Sequence, residues 1–324
     1  MALTNKFLIT GGAGFIGSNL ADELIKQGAK VVILDNLITG FRENLEEIGG
    51  DFDFIEGDLN DDLKLAQAIE NVEVIFHQAA LPSVPRSVEN PLETHQACVN
   101  GTFNLLLKAR SSKVKRVIYA ASSSAYGDQE TLPKIETMRP EPLSPYAAAK
   151  LMGEYYCQVF TNVYGLETLC LRYFNVFGPR QNPASQYSGV ISRFVDALMA
   201  NKTPIIYGDG ETTRDFTYIA NVVDANIKAA QTSKGIGEVM NVANSERISL
   251  NDLLEVLKKI TGKETISAEF QPERKGDVKH SQASNQRAVE WLGYEKLVGL
   301  EAGLVETINW WKASRFAAQM ASSV

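Results

Sequence analysis

Short apolar runs recur along the first half of the chain, each closing on a glycine, an acid or small polar residues. Lys6-Phe7-Leu8-Ile9-Thr10, Lys30-Val31-Val32-Ile33-Leu34-Asp35, Phe52 to Asp58, Val74 to Ala80, Val117 to Ser122 and Thr168 to Asn175 read as strands. Helix-length stretches separate them, and Ile16, Leu20 and Leu24 at four-residue spacing predict a helix directly after the first run. Apolar runs alternating with helices predict an α/β fold with a doubly wound parallel sheet of the Rossmann type. Ligands of such sheets lie beyond the C-terminal strand ends. Gly11 to Gly17, Asp35, Asp58, Ala79-Ala80 and Ser122-Ser123-Ser124 all fall on that edge.

The pattern changes at Val176-Phe177-Gly178-Pro179-Arg180-Gln181-Asn182-Pro183, where two prolines and a glycine stop regular structure. We place the main domain change near residue 177. The expectation is a sheet domain over 1–177 and a smaller C-terminal α/β substrate lobe over 178–324, with part of 212–242 returning to the first domain. Beyond the boundary, 205–210, 238–242 and 266–270 are strand-like, while 190–200, 221–231 and 249–261 read as helices.

Composition narrows the function. The 324 residues are 44% apolar and carry a net charge of −7, so no basic field exists to hold nucleic acid, and an anionic substrate needs a local cationic pocket. Arg180, Arg193, Arg214 and Arg274 supply candidates, since arginine grips a diphosphate through a planar fork. Cys98, Cys157 and Cys170 show no C-x-x-C spacing and read as reduced core residues. His77, His95 and His280 are scattered, so no metal site is expected. The first residues hold one lysine and a short apolar run that stops at glycines, and no apolar segment long enough to span a membrane follows. The expectation is a soluble cytoplasmic protein.

Two constellations carry chemistry. Gly11, Gly12, Gly14 and Gly17, between strand and helix, allow unusual dihedrals and close approach of backbone to a pyrophosphate at the helix N-terminus. Asp35 ends the second strand near the spacing at which a carboxylate takes the adenosine ribose hydroxyls. With Asn36 next and no arginine there to receive a 2′-phosphate, NAD is favoured over NADP. Further on, Ser144-Pro145-Tyr146-Ala147-Ala148-Ala149-Lys150 places a phenol and an ammonium one turn apart at the start of a helix, with Ser144 as N-cap and Pro145 at the first position. A tyrosine with a pKa of about 10 is too weakly ionised to act as a base, but a neighbouring ammonium and a positive nicotinamide lower that value. Tyr146 is then the acid/base, Lys150 its electrostatic partner and ribose anchor, and Ser122 the group that holds the same oxygen.

Over nearly its whole length the chain resembles the extended short-chain dehydrogenase/reductases, and within them the UDP-sugar 4-epimerases. The matching pieces are Gly11-x-x-Gly14-x-x-Gly17, Gly57-Asp58-Leu59, His77-x-Ala79-Ala80, Ser122-Ser123-x-x-Tyr126-Gly127, Pro145-Tyr146-x-x-x-Lys150, Arg172 through Arg180, Arg214-Asp215-Phe216 and Gly276-Asp277. The resemblance implies bound NAD contacted by Gly11, Gly14, Phe15, Ile16, Gly17, Asp35, Asn36, Asp58, Leu59, Ala79, Ala80, Tyr146, Lys150 and Tyr173. It implies a UDP-sugar held by Ser83, Ser122, Ser123, Ser124, Tyr146, Asn175, Ser188, Val190, Tyr207, Arg214, Arg274, Asp277 and Ser281. It also implies oxidation of the C4 hydroxyl, turnover of the 4-keto sugar, and a homodimer paired through helices like 92–110 and 146–164.

Ser123 and Ser124 stand where the related 4,6-dehydratases carry an acid pair, which disfavours dehydration. The family position that limits room at the sugar C2 substituent, a bulky tyrosine in enzymes confined to plain hexoses, is Ser281 here. The reading is therefore an epimerase of UDP-GlcNAc and UDP-GalNAc, with UDP-Glc and UDP-Gal as further substrates. The alternatives are a UDP-glucuronate 4-epimerase, for which Arg86 is a candidate cation, another nucleotide-sugar enzyme of the same family, or a non-catalytic NAD sensor. Two positions depart from the family pattern: Cys98 replaces an asparagine near the cofactor, and Pro82 replaces a glycine beside Ser83.

Overall fold

The computed structural model describes residues 5–182, 189–273 and 278–314. Ser188, Arg274 and Asp277 lie outside them. Six of the apolar runs become strands β1 (Lys6–Thr10), β2 (Lys30–Asp35), β3 (Asp53–Glu56), β4 (Val74–His77), β5 (Arg116–Ser122) and β6 (Glu167–Tyr173). They pair in parallel in the order β3-β2-β1-β4-β5-β6, and a seventh strand, Val239–Val242, adds in parallel to β6. The pleat sends alternate residues of β1 to opposite faces: Phe7 and Ile9 join one buried cluster, Leu8 the other. The order reverses between β1 and β4, and a crevice opens there beyond the carboxyl ends of the strands.

Helix α1 (Phe15–Lys26) buries Leu20, Ala21 and Leu24 against the sheet. The helix Pro145–Tyr164 starts as its sequence dictates: the Ser144 hydroxyl accepts from the Ala147 amide at 3.1 Å, Pro145 fills the first turn, and Gly165 at φ +73° ends it. Beyond β6 the described residues form three two-stranded pairs, Val176–Phe177 with Thr217–Tyr218, Thr213–Arg214 with Ile248–Ser249, and Ile205–Tyr207 with Glu269–Gln271, beside the helices Val190–Met199 and Leu250–Thr261. The last strand begins three residues later than its sequence suggests. The Ile266 amide closes a turn on the Lys263 carbonyl at 3.1 Å, which keeps Ile266 out of the ladder, and the Ile266 and Ala268 side chains pack on the core. Among the described residues no helix is long and apolar enough to cross a membrane.

Candidate active site

The crevice holds a cleft of about 950 Å³ floored by the glycine turn. Gly11 has φ +71°, and a Cβ on it would lie 2.7 Å from the Ala79 backbone; one on Gly17 would lie 2.3 Å from the Gly11 carbonyl oxygen. Only glycine fits either place. Gly14 is the N-cap of α1 and offers no side-chain cap, while a Cβ there would meet nothing closer than the Gly11 oxygen at 3.1 Å. The amides opening α1 are thus left for an anion in the cleft, which Gly14, Phe15, Ile16 and Gly17 line.

Asp35 sits at the end of β2 with both oxygens turned to the loop, accepting from the amides of Ala13 at 2.9 Å and Leu37 at 2.8 Å. Burial raises its carboxyl, and those two amides pull the other way. Asn36 donates to Asp58 at 2.6 Å, and Asp58 also accepts from the backbone and side chain of Asn60. A glycine cradle at a helix start, a carboxylate at the next strand end and a second carboxylate beyond fit the pyrophosphate and adenosine of NAD. All the residues expected to contact the cofactor, including Leu59, Ala79, Ala80 and Tyr173, line this one cleft.

At its other end stand Ser122, Tyr146 and Lys150. The Ser122 hydroxyl accepts from the Ser124 amide at 3.2 Å and from the Ser124 hydroxyl at 2.9 Å. Its own proton is therefore free to turn to the Tyr146 phenol, whose pKa the Ser122 hydroxyl pulls down. Burial holds that phenol above its ordinary range, with the Ser122 bond offsetting a part. The sequence suggested a phenol lowered by its lysine. In the protein Lys150 is itself pushed down by burial, and its ammonium lies 4.6 Å from the centroid of the Tyr119 ring.

Beneath the site is a chain of hydrogen bonds that the motifs do not reveal. The Thr102 hydroxyl spends its proton on the Cys98 carbonyl at 2.6 Å, so at 2.9 Å from His77 Nε2 it can only accept. His77 is then the Nε2–H tautomer, with Nδ1 accepting from Thr10 at 2.7 Å, and the Thr10 oxygen accepts from the Ala79 amide at 3.3 Å. Burial pushes His77 down to about 3, assisted by Lys150, so the ring stays neutral. Ala79, a wall of the cleft, is held by this relay. Gln78 and Asn226 bind the Tyr173 hydroxyl at 3.1 and 2.8 Å, and burial pushes that phenol up to about 12.

The sugar-site residues expected from the sequence divide among several places. Ser83, Ser122, Ser123 and Asn175 line the large cleft; Asn175, Val190, Tyr207 and Arg214 line an adjoining cavity of about 240 Å³ with Phe177, Gln181 and Arg193. Asn175, at φ +34°, belongs to both and donates to the Asp215 carbonyl at 2.9 Å. Ser124 and Ser281 line neither. Ser124 backs Ser122, and the Ser281 amide donates to the Thr213 carbonyl beside Arg214. Arg180 is no diphosphate ligand: it is 7% exposed and binds Asp22, Glu47 and the Ser18 carbonyl, locking α1.

The sequence profile of the NAD-dependent epimerase/dehydratase family matches residues 7–243. A UDP-glucose 4-epimerase of Mycolicibacterium smegmatis is 39% identical over 309 residues, covering 94% of this chain and 98% of that protein. The chain belongs to the UDP-sugar 4-epimerases of this family. Its cofactor is NAD. Among solved structures, the UDP-N-acetylglucosamine 4-epimerase of Methanobrevibacter ruminantium superposes on the epimerase with a TM-score of 0.91 at 37% identity, covering 96% of this chain and 99% of that one. The UDP-glucuronic acid 4-epimerase of Bacillus cereus, crystallised with NAD, gives 0.88 at 33% identity over 95% and 99%.

The epimerase's cleft also holds a paired cation. Arg86, a cleft residue one turn past Ser83, is gripped by Glu93 through two bonds of 2.6 and 3.2 Å. That cation is already neutralised. Sequence reasoning found Arg86 and missed Glu93, because the two are joined only when the helices Val84–Glu89 and Pro91–His95 turn toward each other.

Proposed function

We propose that the epimerase inverts C4 of UDP-GlcNAc and UDP-GalNAc, and of UDP-Glc and UDP-Gal as further substrates, through a 4-keto sugar. The observation that carries the reading is that Ser122, Tyr146 and Lys150 line the same cleft as the glycine cradle. Bound NAD supplies reversible hydride acceptance, which makes the ketone accessible. Tyr146 takes the C4 hydroxyl proton and gives it back; Ser122, its oxygen already loaded by Ser124, directs its own proton at the same centre and holds it in register. Lys150 supplies positive charge to the phenolate as it forms.

The acetylated substrate is supported by the small hydroxyl-bearing wall of Ser83, Ser122 and Ser123, by the absence of any free charge on Arg86, and by the 37% identity to an N-acetylglucosamine epimerase. Asn175, Val190, Tyr207 and Arg214 are assigned to the nucleotide in the smaller cavity. The exposed apolar face of the helix Pro145–Tyr164, with Met152, Tyr155, Val159 and Val163, supports a homodimer. The test is proton NMR of C4 stereochemistry with UDP-GlcNAc, UDP-Glc and UDP-glucuronate supplied separately. UDP-GlcNAc is expected to turn over fastest and UDP-glucuronate not measurably, with Tyr146→Phe reducing turnover by about 10²–10⁴-fold while NAD stays bound. Faster turnover of UDP-glucuronate would overturn the substrate assignment.

A further inference from the structure

Lys150 is 3% exposed, yet among the described residues it has no ion pair. The acid one turn along its helix, Glu154, gives both oxygens to Arg172 at 2.8 and 2.7 Å. The other titratable groups around it are the phenol of Tyr146, the neutral ring of His77 on β4, and the thiols of Cys98, Cys157 and Cys170. None is an anion. What lies under the ammonium is the ring of Tyr119 on β5, 4.6 Å from Nζ to centroid.

Tyr119 is itself fixed on three sides. Its hydroxyl donates to the Lys150 carbonyl at 3.2 Å. Its oxygen occupies the space over Gly153, where a Cβ would lie 2.2 Å away. Its ring meets that of His77 with centroids 5.5 Å apart. A carboxylate in this place would cancel the field Lys150 exerts on the phenol one turn back. A π face stabilises an ammonium without adding charge and without taking one of its hydrogens.

We propose that Tyr119 is a positioning residue that carries Lys150 as an unneutralised cation, its ring face standing in for a counter-ion and its hydroxyl fixing the helical turn that bears the lysine. This rests on the reading of Tyr146 and Lys150 as the proton-handling pair. The glycine at 153 belongs to the device, because any larger residue would expel the Tyr119 oxygen.

The experiment is a direct titration of Lys150 by carbon NMR of enzyme labelled at lysine Cε, with and without NAD, the signal being assigned by its loss in Lys150→Met. Tyr119→Phe keeps the ring and is expected to titrate within a few tenths of a unit of the parent. Tyr119→Leu and Tyr119→Met remove it and are expected to lower the midpoint by about one pH unit. The alkaline limb of the kcat/KM profile should move down with it, and the second apolar variant covers the case in which the first does not fold. An unmoved midpoint in either folded apolar variant would show that Tyr119 only fills space, and the proposal would be wrong. A lowered midpoint with an unmoved kcat/KM profile would uphold the role of Tyr119 and remove Lys150 from the proton-handling pair.

Discussion

Asp215 sits between two residues of the smaller cavity, Arg214 and Phe216, and is fully buried. Its carboxylate accepts from the amides of Asn244 and Ala283, both at 3.1 Å, while its own carbonyl holds Asn175. Burial pushes this carboxyl up to about 7, with Glu246 adding to it and the backbone amides opposing. The native state therefore keeps a proton that the unfolded chain gives up near pH 4. The contribution of this group is complete below about pH 4 and is lost as pH rises through about 7. His77 runs in the opposite sense, since its ring must be neutral to stay buried and acid below about 6.5 favours the unfolded chain. Asp215→Asn removes the first effect and leaves the second. Urea unfolding should show the stability of this variant, relative to the parent, rising by about 2 kcal/mol between pH 5 and pH 7.5; a difference that stays flat would mean that the native carboxyl is already ionised at pH 5.

The helix bearing Tyr146 and Lys150 is anchored to β6 by the Glu154–Arg172 pair, with side chains 1% and 4% exposed, and the Arg172 guanidinium also lies 4.6 Å from the centroid of the Tyr126 ring. Breaking a buried pair on one side strands a charge, so Glu154→Gln is expected to cost about 3–5 kcal/mol in chemical denaturation. Replacing both partners, Glu154→Met with Arg172→Met, should cost less than that single change; a double variant no more stable than the single one would argue against stranded charge as the cause. This anchor was invisible in the sequence, because the motif that contains Arg172 does not name its partner, and Glu154 has no motif signature at all. The start of the same helix was legible, because Ser144-Pro145 acts through bonds within four residues. The glycine turn was legible for a similar reason: a positive φ at Gly11 and a crowded Gly17 are local demands on residue type. Arg180 misled because its motif says only that a cation is present. Its partners are supplied by two distant elements, Asp22 by α1 and Glu47 by the end of the helix Arg42–Glu46. The π-helical turn Gln96–Asn100, which brings Cys98 against the buried lysine, likewise leaves no mark on apolar spacing.

Across the whole molecule, the parallel doubly wound sheet and the ligand edge beyond its strand ends follow from alternating apolar runs and helices, while the strand order and the place of its reversal came only with the structure. Association is the property least expressed in that alternation, since it depends on which apolar residues are left over once the core is filled. On the helix Pro145–Tyr164 those are Met152, Tyr155, Val159 and Val163, from 44% to 65% exposed, and Leu107 on the preceding helix is 42% exposed. Introducing Val159→Lys with Val163→Lys should convert the proposed dimer to a monomer in analytical ultracentrifugation. Sedimentation of parent and variant at the same mass would show that this face pairs nothing.

The strand Val239–Val242 completes the sheet, yet more than sixty residues separate it from its neighbour β6. While the ribosome is still making the intervening lobe, β6 offers a bare row of amides and carbonyls to whatever strand comes by. Chains released early, short of residue 239, would keep that unsatisfied edge permanently, and so are expected to be insoluble even though every glycine, serine and tyrosine of the cleft has already been synthesised.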